Sequence, residues 1–87
     1  MESNEELEGF LKSFDFMKLG QAINRGQWEV AMMTVSRMER NGRRLGLEGM
    51  SRNLHELRNA ILAKNAAAAK NLLAMVVQKR VQMLKNL

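Results

Sequence analysis

Apolar residues recur along this chain at spacings of three and four, the period of one helix face, in a short opening stretch and four longer ones. The opening stretch carries Leu7, Phe10, Leu11 and Phe14 on one side, and Ser3 with Glu6 makes an S-x-x-E capping box ahead of it. Ser13 or Asp15 is expected to start the next helix, because both can accept a hydrogen bond from an orphan amide. Phe16, Leu19 and Ile23 share its inner face, and Gly26 can take the left-handed conformation that ends it. The spacing then predicts a helix from Gln27 to about Leu45, with Trp28, Ala31/Met32, Val35, Met38, Gly42 and Leu45 inward and Gly46 as its stop. A further helix from Glu48 to about Ala63 sets Met50, Leu54, Leu57 and Ile61 on one side. Lys64-Asn65 makes the last turn, with Asn65 as N-cap. The final helix begins in Ala66–Ala69 and is expected to turn Leu73, Val76, Val77, Val81 and Leu84 inward.

Four amphipathic helices joined by short connections predict an all-α fold, an up-and-down antiparallel four-helix bundle with the short first helix capping one end. Residues 1–87 read as one domain, with residues 1–4 expected to be mobile. There is a weak internal echo. Ala22-Ile23, Trp28, Ala31 and Val35 recur 38 residues later as Ala60-Ile61, Ala66, Ala69 and Leu73. Two copies are too few for a helical solenoid, so the echo reads as two helical hairpins sharing one packing solution.

Composition narrows the function classes. Pro and Cys are absent and helix-favouring residues dominate, so no disulfide framework or thiolate chemistry is available. That usage fits a cytoplasmic protein. The single histidine, His55, excludes a multi-histidine metal site, and no phosphate-binding glycine loop, cofactor motif or nucleophile–base pair is visible. No apolar run approaches the ~20 residues that span a bilayer, and no membrane partner is expected. Met17, Met32, Met33, Met38 and Met50 are expected to fill gaps in the core. The charge is uneven: residues 1–10 hold four Glu and no base, whereas residues 11–87 hold fourteen Lys/Arg against five Asp/Glu, a net +9. Such a body attracts anionic partners, and the attraction should weaken with salt.

The segment Ser36–Leu47, SRMERNGRRLGL, resembles the active segment of a histidine phosphotransfer (Hpt) domain, roughly His-x-apolar-Lys-Gly-x-small-x-x-apolar-Gly-apolar. Met38, Gly42, Leu45, Gly46 and Leu47 fall in register, but Ser36 stands at the histidine, Glu39 at the lysine and Arg40 at the glycine. The resemblance covers residues 11 to 87. An aromatic turn, Ile23 to Trp28, precedes Ser36; Leu54–Leu57, Asn65 and Ala66–Leu73 follow in the family's order. It implies a bundle in a two-component phosphorelay whose own chemistry is lost, since a serine without an activating base is a poor nucleophile. The chain is then a binding module and not an enzyme.

The resemblance also implies that this surface docks the receiver domain of a response regulator. Arg37, Arg40 and Arg44 share a helix side, flanked by Ser36, Glu39 and Arg43, and arginine can grip carboxylates and phosphates bidentately. Ser36, Arg37, Glu39, Arg40, Arg43 and Arg44 are therefore the candidate contacts with an acidic protein surface. One alternative is a small basic helical domain binding nucleic acid, although few aromatics are left over for base stacking. Another is phosphotransfer through His55, whose plainer reading is a helix-surface histidine among local pairs with Arg52, Glu56 and Arg58.

Overall fold

The computed structural model describes the backbone of residues 2–87 and the side chains of residues 5–87. Met1 and the side chains of residues 2–4, and with them the Ser3–Glu6 capping box, lie outside this description. Among the described residues the chain is all-helical, with α1 (Glu2–Leu11), α2 (Asp15–Asn24), α3 (Trp28–Arg44), α4 (Glu48–Leu62) and α5 (Ala66–Lys85).

The three turns from α2 to α5 are closed in the same way. Gln27 N–H donates to Ala22 C=O at 2.8 Å and Gly26 N–H to Ile23 C=O at 3.2 Å. Leu47 and Gly46 repeat this onto Gly42 and Arg43, and Asn65 and Lys64 repeat it onto Ala60 and Ile61. Such paired closure is the Schellman motif, which needs a left-handed residue just past the helix. Gly26 (φ 67°), Gly46 (φ 74°) and Lys64 (φ 53°) occupy that place. In the 38-residue echo, Ala22-Ile23 and Ala60-Ile61 occupy equivalent places, accepting the closing hydrogen bonds of two of these turns.

Helix starts are less uniform. Asn65 caps α5, its side-chain oxygen accepting from Ala68 N–H at 3.1 Å. At α2 the expected cap is not made. Phe14 occupies the N-cap position, Ser13 Oγ is buried without a hydrogen-bond partner, and the Asp15 carboxylate turns to Arg37 instead.

The helices contact one another as α2 with α3, α3 with α4, α4 with α5, α5 back to α2, and α1 against α5, in a body of 39 × 20 × 20 Å. Leu11, Leu19, Ile23, Val35, Met38, Met50, Leu54, Leu57, Ile61 and Val76 are fully buried and join all five helices in one core. The most extensive contact is α3 with α4, where Gly42 leaves room for Ser51. Arg80 secures the α1–α2 corner. Its Nε donates to Leu11 C=O, a free carbonyl at the end of α1, while the guanidinium lies 5.2 Å from the Phe16 ring centroid.

The core is narrower than the sequence pattern suggests. Val77 and Val81 are 39% and 41% exposed, although Val76 is buried. On the helix Val77 lies about 100° and Val81 about 140° round from Val76, at or beyond the edge of the buried stripe. Phe14 is 79% exposed because the chain leaves α1 before reaching it. Of the methionines, Met38 and Met50 are buried and Met32 is half-buried, whereas Met17 and Met33 face solvent.

Candidate functional site

Each residue of the Ser36–Arg44 segment has a definite place on α3. Ser36 is half-buried, its hydroxyl 3.8 Å from the Met32 thioether four residues earlier. Arg37 reaches back to α2 and grips Asp15 with both arms, Nη2 to Oδ1 at 2.7 Å and Nε to Oδ2 at 3.1 Å. The hydrogen bond and then the charge of Asp15 raise the Arg37 pKa further, so this guanidinium stays charged. Arg44 lies 3.4 Å from Glu6 on α1. Arg40 is exposed and has no carboxylate within ion-pair distance among the described residues.

Glu39 is the exception to a surface reading. It is only 4% exposed, at the α3–α4 interface, and three basic side chains converge on it. Arg43 Nη2 donates to Oε2 at 2.6 Å, and His55 Nδ1 lies 3.2 Å from the same oxygen. Arg58 Nε approaches Oε1 at 3.4 Å without a well-directed hydrogen bond. Glu39 therefore cannot itself touch a partner; its part is to anchor Arg43, His55 and Arg58. Its neighbours explain this. Glu39 falls four residues after Val35 and three before Gly42, both inward, so helical period alone places it inside. Giving it the place of the family's exposed lysine hid that signal.

The expected local pairs around His55 change accordingly. Arg58 and His55 turn together toward α3, with Arg58 Nη2 3.3 Å from His55 Nδ1, while Arg52 and Glu56 remain exposed. A carboxylate only accepts hydrogen bonds, so Nδ1 carries the proton and points it at Glu39. Nδ1 cannot then accept from Arg58, and that contact is one of proximity. Nε2 has no protein partner among the described residues.

Beside this cluster, where α3 gives way to α4, is an open cleft of about 440 Å³ lined by Arg43, Gly46, Leu47, Glu48, Ser51, Arg52 and His55. The expected contact surface thus divides in two. Arg37 and Arg44 are tied to the α1–α2 side, and Arg43 joins the cleft with residues of α4. Among the described residues no group of three His, Asp or Glu side chains is placed to hold a metal ion. Among the described residues no helix is long and apolar enough to cross a membrane. No family model matches the chain, and no curated protein or solved structure matches it either.

Proposed function

We propose that the chain is an Hpt-like protein-binding module that engages an acidic protein surface, a receiver domain by the resemblance, and accepts no phosphoryl group at Ser36. On this reading α2 to α5 form an up-and-down antiparallel bundle and α1 caps one end. The cyclic order of helix contacts supports that arrangement. The observation that carries the functional reading is Arg40, exposed and without a carboxylate partner among the described residues, one turn from Arg37 and Arg43, which Asp15 and Glu39 hold in place. Arginines already ordered lose less freedom on binding. Ser36 lacks a base, and its hydroxyl faces a thioether.

Pull-down with the intact chain tests it. Recovery of a response regulator or another acidic protein, lost on Arg40→Glu with Arg43→Glu while the circular dichroism of the fold is unchanged, is the expected result. Retention of that partner by the double variant would overturn the reading.

The Glu39–His55 pair favours a second reading, phosphoryl acceptance at Nε2 of His55. In that reaction the N–P bond forms as the acyl phosphate P–O bond of a phospho-aspartate breaks and the carboxylate leaves. It requires an acid-labile, base-stable label on the wild type and none on His55→Gln; an unlabelled wild type ends it.

A further inference from the structure

We infer that the cleft between the end of α3 and the start of α4 is a binding site for a phosphate group, free or carried as a small phosphate monoester. The inference does not depend on protein docking or on transfer to His55, since it turns on reversible binding and on Arg52, which neither reading requires.

Two guanidinium groups and the start of a helix line the cleft. Arg43 is oriented by Glu39 at 2.6 Å, and a guanidinium has five N–H donors, so most of its fork remains available. Arg52 is exposed with no carboxylate at ion-pair distance among the described residues. His55 lines the cleft too, but with the proton on Nδ1 its Nε2 is an acceptor in the neutral ring and adds no donor to the site. Ser51 also lines the cleft, but its hydroxyl is buried against Gly42 in the α3–α4 contact and adds no donor to the site. The start of α4 adds to the two guanidinium groups, because Leu47 at its N-cap makes no side-chain cap and the helix dipole favours negative charge there.

Size and charge favour this ligand class. The cleft, about 440 Å³, lies within the roughly 300–1,000 Å³ of small-molecule sites and leaves room for an organic group beyond the phosphate. A tetrahedral oxyanion offers acceptors to two guanidinium groups at once, which a single carboxylate does less completely. One group opposes it. Glu48 also lines the cleft, is exposed, and competes for the same positive charge.

The experiment is a titration of the folded chain with inorganic phosphate, followed by amide chemical shifts at constant ionic strength and repeated with phenyl phosphate. Saturable shifts at Gly46 to Arg52 are expected, with Arg52→Gln weakening binding roughly tenfold, as for loss of a charge-assisted hydrogen bond. Glu48→Gln should tighten binding severalfold, and Lys70→Gln, exposed on α5 outside the cleft, should leave it unchanged. Tighter binding of the ester or of the free ion supports the site either way and tells the two sources apart. Shifts that do not saturate, that sodium chloride reproduces, or that are equal in Arg52→Gln and Lys70→Gln would overturn the site.

Discussion

Glu39 Oε2 lies 3.2 Å from His55 Nδ1, joining a carboxylate that is 4% exposed to an imidazole on the next helix. The pair crosses the largest helix contact in the molecule, and Arg43 and Arg58 close around the same carboxylate. Glu39→Gln should therefore lower unfolding stability by about 1–3 kcal/mol, measured by urea denaturation. The loss falls at the lower end for a broken buried ion pair because the three bases keep access to water. Glu39→Met should be no worse than Glu39→Gln, since it fills the space without leaving a buried polar group. A much larger loss for Met than for Gln would show that hydrogen bonds to this position, more than its charge, hold α3 and α4 together.

How much of this was legible in the sequence differs between fold and site. Helix positions follow from Gly26, Gly46 and Asn65, whose conformational or capping roles are local, and the structure places α2 to α5 within a residue or two of them. Lys64 carries no comparable signal, because a lysine in the left-handed region looks like any other lysine in sequence. Its role emerges only from its match to Gly26 in the 38-residue echo. The core faces of α3 and α4 were readable from period, yet Val77 and Val81 were not separable from Val76 by hydrophobicity alone. The Arg37–Asp15 contact spans 22 residues, and no local spacing rule reaches that far. Glu39 was readable, but only by trusting the period over the resemblance.

Arg37 and Asp15 tie the start of α2 to the middle of α3 through a bidentate contact, with side chains 44% and 21% exposed. Partial exposure limits its worth. A double-mutant cycle of Arg37→Gln and Asp15→Asn should give a coupling of about 0.5–1 kcal/mol at low salt, shrinking as sodium chloride is raised. A coupling indistinguishable from zero at low salt would show that the two side chains are paired only transiently.

Gly42 is a compromise between helix propensity and helix contact. An added Cβ would sit 3.0 Å from Ser51 Oγ and 4.0 Å from Leu54 Cδ1. Ala gains up to about 1 kcal/mol of helix propensity over Gly, but the hydroxyl must first move aside. Gly42→Ala should be close to neutral in the wild type and stabilising by about 0.5–1 kcal/mol when Ser51 is also Ala. Thermal unfolding of the four chains in this cycle reads the difference directly, and equal effects in both backgrounds would locate the obstruction elsewhere.

Arg80 links α5 to α1 and α2 by charge-assisted contacts to a terminal carbonyl and an aromatic face. Arg80→Gln should cost about 1–2 kcal/mol globally. Its local effect should be sharper: amide hydrogen exchange in α1 should accelerate well beyond that in α3 and α4. Uniform acceleration across all helices would mean that α1 does not open independently.

Lys64 is the one described non-glycine residue at positive φ, 53°, in a turn otherwise built like those at Gly26 and Gly46. A side chain there strains against its own carbonyl by about 1–2 kcal/mol, and glycine removes that strain at a smaller cost in unfolded-state entropy. Lys64→Gly should raise stability by about 0.5–1 kcal/mol, and Lys64→Asn by less. The reciprocal change, Gly46→Ala, should lower it by about 1 kcal/mol, since it introduces the same strain into an equivalent turn. Urea midpoints of the three variants test the relation as a set. A lower midpoint for Lys64→Gly would require that the lysine side chain contributes a contact at this turn larger than the strain it bears.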